Sequence, residues 1–146
     1  LICSLLLILI TSINGVIIED CGSDLGEVTS VTVSNCSESV DDECLFKRGT
    51  NVSLSVDFNT KAAITKITVR VYGIILVAAL PFPISNPDGC LNSGLVCPLA
   101  ANDNVTYTAT LPVLQDYPRV RVNFVLLLRN EVEESIVCLD FLARIV

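Results

Sequence analysis

The sequence predicts an all-β sandwich or barrel held by disulfides, and two observations carry this prediction. Most of the chain alternates apolar and polar residues with a period of two, which is the pattern of half-buried strands, and no helical period is found. Seven cysteines occur in 146 residues. The length is that of one domain, and neither an internal repeat nor a low-complexity linker divides it.

Six alternating runs predict strands. The clearest runs from Val52 to Phe58, where apolar residues are separated by two serines and Asp57. The other five runs lie at 31–33, 67–71, 105–111, 120–128 and 137–145. Turn-forming residues separate the runs, as in the Asn-Pro-Asp-Gly sequence at 86–89. Together with the segment described next, this gives about seven strands, which is typical of a sandwich or barrel.

One segment, residues 72–84, is almost wholly apolar and does not alternate. Pro81 and Pro83 flank Phe82 and cannot donate to a central ladder, so we expect this segment at a sheet edge or a bulge. The pattern alone favours a fully buried strand with a proline-rich exit. The alternative is an apolar lip around a pocket, or a partly exposed apolar patch.

The first fifteen residues have the composition of a secretory signal peptide. Residues 1–10 are apolar except for Ser4, and no charge occurs before Glu19. The run is shorter than the about 20 residues that a membrane span needs, and small and polar residues follow it through Gly15. Because the chain contains no Met, we expect an N-terminally truncated signal peptide at 1–15 and a mature domain at 16–146. The alternative is a buried first strand or helix.

Six of the cysteines lie in the expected mature chain: Cys21, Cys36, Cys44, Cys90, Cys97 and Cys138. An even number of cysteines behind a signal peptide indicates a disulfide framework formed in an oxidising compartment. Seven residues separate the second from the third, and six separate the fourth from the fifth, so both pairs are typical of local loop staples. Cys21 and Cys138, near the two ends of the domain, remain as the third pair. Six cysteines allow fifteen connectivities, so this pairing is a prediction.

Glycosylation sequons support secretion. Of three sequons, those at Asn51 and Asn104 are predicted to be glycosylated, whereas the third, at Asn35, adjoins a cysteine.

The composition argues against several classes of function. Without any His, the chain lacks the usual general base, the usual nucleophile–base pairs and the usual catalytic zinc ligands. No glycine-rich phosphate loop or calcium-loop spacing occurs, so we expect no enzyme, cofactor or metal. The densest acidic cluster, residues 41–43, is expected to be a solvated loop rather than a glycosidase pair. A net charge of −7 disfavours nucleic acid and simple attraction to anionic membranes.

Several motifs together resemble one family. They are Asp-Cys-Gly-Ser at 20–23, the longer Leu-Pro-Phe-Pro-Ile-Ser-Asn-Pro-Asp-Gly-Cys at 80–90, Cys-Pro-Leu at 97–99 and Tyr-Pro at 117–118. They are similar to those of the Niemann–Pick type C protein 2 family, whose domain is called the ML or lipid-recognition domain. Dust-mite group 2 allergens belong to the same superfamily. The resemblance covers the whole expected mature chain.

The resemblance implies an immunoglobulin-like sandwich of two antiparallel sheets, with an apolar cavity between them that holds a lipid without covalent chemistry. It implies the cystines Cys21–Cys138, Cys36–Cys44 and Cys90–Cys97, in agreement with the spacing. It places lipid-binding positions at Val33, Leu80, Phe82, Val113, Tyr117 and Pro118. Around Phe82 the resemblance therefore favours a pocket over the buried strand that the pattern alone favours.

Two departures bear on the ligand. Residues 75–79 read Ile-Leu-Val-Ala-Ala where sterol-transfer members tend to carry Met-Gly and a further proline, and Tyr72 stands where vertebrate members commonly carry His. The resemblance therefore implies lipid binding more firmly than it implies that the ligand is cholesterol or that it is transferred to a particular membrane or receptor.

The leading hypothesis is a monomeric carrier of a sterol or fatty-acid-like lipid that hands it to a membrane surface or membrane receptor. It would act outside the cell or in the endosomal–lysosomal lumen. The alternative is a recognition module for chemosensory or microbial lipids. An adhesion-type immunoglobulin domain is less consistent with the sequence, because such domains pack a Trp on a mid-sandwich disulfide and this chain has none.

Overall fold

A computed structural model describes residues 10–13, 16–34, 36, 43–84 and 86–146, with the backbone alone for 10–17. Within these ranges every regular element of more than one turn is a strand. No helix in this part of the chain is long and apolar enough to cross a membrane. The expected signal peptide falls partly on residues 1–9 and 14–15, which lie outside the described residues, whereas residues 10–13 form a short strand.

The described residues form ten strands. In chain order they are β1 (Ile10–Ile13), β2 (Val16–Asp20), β3 (Gly26–Val33), β4 (Cys44–Phe46), β5 (Thr50–Thr60), β6 (Thr68–Ile75), β7 (Ala78–Pro81), β8 (Asn104–Val113), β9 (Arg121–Arg129) and β10 (Ser135–Ile145).

These strands build two sheets. The larger has the order β1-β2-β10-β9-β6-β7, with β4 added in parallel to β10, and the smaller has the order β3-β5-β8. Apart from β4, all pairings are antiparallel. The predicted fold class is confirmed, and each of the six alternating runs lies on a strand. The count of about seven was too low because β1, β2 and β4 have only three to five residues and are too short to show alternation.

The core lies between the sheets and follows the alternation. In β5 the side chains of Val52, Leu54, Val56 and Phe58 are buried while the intervening residues face outward. The inward residues of β9 oppose them from the other sheet. Since successive strand residues point to opposite faces, a register slip of one residue would turn a whole apolar row towards water. Each large side chain buried here stabilises the fold by roughly 1.5–3 kcal/mol.

The predicted disulfides all form: Cys21–Cys138, Cys36–Cys44 and Cys90–Cys97. The first joins residues 117 apart in sequence. In the chain-entropy account a closure of that length stabilises the fold by about 5 kcal/mol.

The expectation of a solvated acidic loop at 41–43 is wrong for Glu43. This side chain is only 1% exposed and forms ion pairs with Arg121 and Arg144. The physical reason is the parallel pairing of β4 with β10, which carries Glu43 between arginines from β9 and β10. A buried carboxylate persists only when it is paired in this way. Asp41 and Asp42 lie outside the described residues.

Candidate functional site

The candidate site begins at the edge of the larger sheet. Strand β7 is its last strand, and Phe82 follows it directly, with its backbone N–H donating to the carbonyl of Val71 at 2.9 Å. The Phe82 ring lies against Gly73 of β6. A Cβ at Gly73 would come within 2.8 Å of the Phe82 Cζ, so the missing side chain is what lets the ring approach the sheet.

Phe82 belongs to a group of aromatic rings at this end of the sandwich. It stacks on Tyr117 with ring centroids 5.4 Å apart and an interplanar angle of 28°. On its other side Phe124 of β9 lies 6.1 Å away, and Phe46 of β4 meets Phe124 edge-on at 6.0 Å. The prolines at 81, 83 and 118 restrict the backbone beside two of these rings. The arrangement is therefore a stiff apolar wall.

A small apolar cavity of about 30 Å³ lies against this wall, between the two sheets. Phe82, Val113 and Tyr117 border it, together with residues such as Phe46 and Phe124. Its volume is about the share of one water molecule in the liquid, whereas a site for a small organic ligand needs roughly 300–1,000 Å³. A ligand of that size would fit here only if the sheets parted.

Nothing in the described cavity wall carries a charge. Burial raises the pKa of the Tyr117 hydroxyl, and burial raises the pKa of Tyr107, on the facing sheet, to about 12. Both phenols are therefore neutral at any physiological pH. No cluster of acidic or cysteine side chains suited to a metal ion occurs among the described residues. The wall can bind apolar surface, and it offers no group for acid–base or nucleophilic chemistry.

An exposed apolar lip adjoins the cavity, formed by Leu76, Val77 and Leu80 of the β6–β7 hairpin. Their side chains are 95%, 98% and 49% exposed. The interpretation of 72–84 as one fully buried strand is therefore wrong, since only Gly73 of this segment is buried and residues 76–81 are exposed. Because β7 lies at the sheet edge and beyond the second layer, its side chains meet solvent instead of the facing sheet.

A larger depression, about 710 Å³, lies along the smaller sheet, and its chemistry is different. Its lining is mixed, with the hydroxyl side chains of three neighbouring strands (Thr32, Ser53, Ser55, Thr108 and Thr110) beside apolar residues such as Leu54 and Ala109. Outward hydroxyls on a sheet remain hydrated, and covering them with a hydrocarbon costs free energy unless each regains a hydrogen bond. By volume alone this groove would be the better candidate for a ligand site. Because hydroxyl groups form part of the groove, the smaller apolar cavity is the better candidate for an apolar ligand.

Comparison with known proteins identifies the relatives of this chain. The ML-domain family profile matches residues 15–145. The chain belongs to the ML-domain family. A Drosophila melanogaster relative, NPC intracellular cholesterol transporter 2 homolog a, is 41% identical over 126 residues, covering 86% of this chain and 84% of its own. The ecdysteroid-regulated 16 kDa protein of Manduca sexta is 41% identical over 138 residues, covering 94% of each.

Solved structures agree with this ML-domain assignment. A Niemann–Pick type C2 protein from the Japanese carpenter ant superposes with a TM-score of 0.81 at 29% identity, over 88% of this chain and 98% of its own. Chicken MD-1 complexed with lipid IVa superposes with a TM-score of 0.55 at 12% identity, over 90% and 91%, and shares the fold. The family resemblance drawn from the sequence is confirmed.

The structure brings together only some of the predicted lipid positions of this ML domain. Phe82, Val113 and Tyr117 share the cavity wall. Val33 is buried in the core outside that wall, Leu80 belongs to the lip, and Pro118 is exposed next to Tyr117. A lipid-binding role for each of the six stays a prediction.

Sequence reasoning missed seven wall residues of the ML domain: Phe46, Val52, Pro83, Leu111, Pro112, Phe124 and Ile145. The alternation places four of them, Val52, Leu111, Phe124 and Ile145, on inward faces of their strands. It does not say which inward residues border a void, because that depends on how the two sheets are offset.

Proposed function

We propose that this ML-domain protein is a secreted, non-catalytic carrier that holds a sterol or fatty-acid-like lipid between its two sheets. The observation that carries the proposal is the uncharged cavity bordered by the Phe82–Tyr117 stack at the open edge of the sandwich. Relatives that carry the name of cholesterol transporters support the same class of function.

The energetics favour opening of the cavity by a lipid. Separating the stacked rings of Phe82 and Tyr117 costs about 0.5–1.5 kcal/mol beyond their lost contact area. Each methylene of a ligand that leaves water contributes about 0.8 kcal/mol. Two buried methylenes therefore offset this additional cost, and the rest of a lipid tail or sterol body offsets the lost contact area of the rings. Binding then proceeds by insertion between sheets that part at this end.

The lip provides a route for handover to a membrane surface or membrane receptor. Leu80 precedes Phe82 by two residues, and Leu76 and Val77 form the exposed turn of the same hairpin, so an apolar surface that covers the lip would meet the sheet edge that leads to Phe82. With a net charge of −7 the protein gains little from attraction to anionic lipids, so contact would be hydrophobic. Replacing both residues by serine should slow lipid transfer to neutral liposomes and leave equilibrium lipid affinity unchanged. Serine at Val96, which is 81% exposed elsewhere on the surface, is the matched control.

A second candidate function is lipid recognition, with a chemosensory or microbial lipid as the signal. The aliphatic segment at 75–79 favours it, because the lip differs there from that of sterol-transfer members. In that case the lip would bind a receptor rather than release the ligand into a bilayer.

We further propose that the protein is a monomer of the extracellular space or the endosomal–lysosomal lumen, with residues 1–15 removed as a signal peptide. Three formed disulfides support an oxidising compartment. Glycans are proposed at Asn51 and Asn104. Both side chains are exposed on the outer face of the smaller sheet, away from the lip.

The test is to identify the lipid that co-purifies. The protein is expressed in insect cells, purified from the medium, extracted with organic solvent and analysed by mass spectrometry. A sterol near one per protein supports transport, and a fatty acid supports the recognition role. An empty protein that takes up neither a fluorescent sterol nor a fluorescent fatty acid would rule out the carrier function.

A further inference from the structure

Arg48 lies in the turn between β4 and β5, beside the cavity wall. Its Nη1 donates to the carbonyls of Gln115 and Tyr117, at 3.2 and 3.4 Å. The next residue, Gly49, donates its backbone N–H to the carbonyl of Val113 at 2.6 Å. Two wall residues, Val113 and Tyr117, are therefore bonded directly to this turn. Arg48 is the only arginine of the described residues whose side chain bonds to a residue of the wall.

The guanidinium of Arg48 has no counter-ion among the described residues. The two ion pairs found there both belong to Glu43 and use other arginines. The Nε of Arg48 is enclosed and has no acceptor, and it is the one buried side-chain donor in the described structure in this state. Nη2 has no acceptor among the described residues either, and it is not enclosed. An enclosed donor without a partner is unfavourable because it has lost its hydrogen bonds to water, so any acceptor that reached it would be favoured.

The unused donors form one edge of the guanidinium. With Nη1 held by two carbonyls, Nε and Nη2 remain as two parallel donors, which is the geometry that accepts a carboxylate in a bidentate pair. A neutral hydroxyl satisfies only one of the two donors and leaves the charge uncompensated. This edge of the guanidinium therefore favours a carboxylate head group over a neutral hydroxyl.

We propose that Arg48 anchors the anionic head group of the bound lipid, a carboxylate, while its apolar body enters the cavity beside Phe82 and Tyr117. This inference rests on the proposed carrier function and narrows its ligand from lipids in general to carboxylate amphiphiles such as free fatty acids. The proposal requires that Nε, which is enclosed in this structure, becomes accessible when the sheets part at this end.

The experiment compares ligands that differ only in the head group. Dissociation constants of delipidated protein are measured for oleic acid, oleyl alcohol and oleoyl lysophosphatidic acid at pH 7.4. Wild type should bind the acid about 10- to 100-fold more tightly than the alcohol, as expected of hydrogen bonds to a charged group. Arg48→Gln should remove this preference and leave the affinity for the alcohol unchanged. Arg48→Lys keeps the charge without the fork and should retain only part of the preference.

Arg70→Gln is the matched control, because it removes the same charge from an exposed arginine whose side chain, among the described residues, donates only to the carbonyl of its neighbour Val69. It should preserve the preference for the acid. Equal wild-type affinities for acid and alcohol would overturn the proposal, as would tighter binding of the phosphate lipid than of the acid. Equal weakening of both ligands in Arg48→Gln would also overturn it, since that result marks Arg48 as a support of the 115–117 turn. If no ligand of the series binds but a fluorescent sterol does, the carboxylate proposal fails and the carrier function stands; if the sterol does not bind either, the carrier function itself fails.

Discussion

Truncation of Phe82 to alanine separates a ligand-contact role from a packing role. The ring stacks on Tyr117, lies 6.1 Å from Phe124 and covers Gly73. Its position at a sheet edge leaves it partly exposed, so its loss should cost less than the 3–5 kcal/mol typical of a fully buried Phe. We expect a loss of about 1–3 kcal/mol in the free energy of unfolding, which three disulfides make tolerable.

The effect on binding follows from the area that the ring presents to the cavity. A phenylalanine buries about 150–250 Å² when enclosed, and roughly a quarter of that, about 50 Å², would face a ligand. At about 25 cal/mol per Å² this contributes about 1.2 kcal/mol, which corresponds to a several-fold to tenfold loss of lipid affinity.

The assay is titration of delipidated protein with a fluorescent sterol and a fluorescent fatty acid, alongside thermal unfolding. Leu91→Ala is the matched control, because this apolar side chain is 58% exposed and does not border the cavity. It should leave both affinities unchanged. Unaltered affinity in a folded Phe82→Ala protein would refute the reasoning and reduce Phe82 to a packing residue.

Two further predictions concern the larger sheet. Gly73→Ala should destabilise the fold by about 1–2 kcal/mol, because its Cβ would meet Phe82 and a neighbouring valine at under 3 Å. Thermal unfolding measures this loss of stability. The double variant Gly73→Ala/Phe82→Ala removes the clash with the ring and should recover part of the lost stability. Burial, then repulsion by Glu19 opposite it in the ladder, raises the pKa of Asp140. Stability contributed by its protonation is present at acidic pH and lost as pH rises through the raised pKa. Asp140→Asn should therefore raise the unfolding temperature more at pH 7 than at pH 4. An equal gain at both pH values would contradict this assignment.

The strands of the core were predictable because their signal is local. Val52 to Phe58 alternates over its whole length, and the structure buries every apolar residue in that run. The disulfides were predictable for a related reason, since short spacings limit the sensible partners. The short strands β1, β2 and β4 could not be predicted, because a strand of three to five residues is too short to show alternation.

The cavity wall could be predicted only in part. Val33 and Val113 look alike in the sequence, as inward valines on strands of the same sheet, yet only Val113 borders the cavity. The difference arises from sheet offset and from the parallel addition of β4, which brings in Phe46. Both are properties of the tertiary arrangement and leave no trace in local periodicity.

Charged residues were the least predictable. Glu43 lies in an acidic run, so the sequence predicts an exposed side chain, but pairing of β4 with β10 buries it between two arginines. The sequence around Arg48, Lys-Arg-Gly, predicts only a turn. The structure shows that Arg48 lies beside the cavity wall and has no counter-ion among the described residues. The environment of a charge is set by residues distant in sequence, which single-sequence reasoning does not locate.

The central claim is that lipid lies between the sheets and not in the larger hydroxyl-lined groove. Photo-crosslinking tests this most directly, with a diazirine-bearing sterol and a diazirine-bearing fatty acid bound at one equivalent. Mass spectrometry then maps the labelled peptides. The account predicts label on segment 80–84, which contains Phe82, and on segment 111–118, which contains Tyr117. Label concentrated on the groove residues Thr32, Ser53 and Ser55, with none at Phe82 or Tyr117, would contradict it.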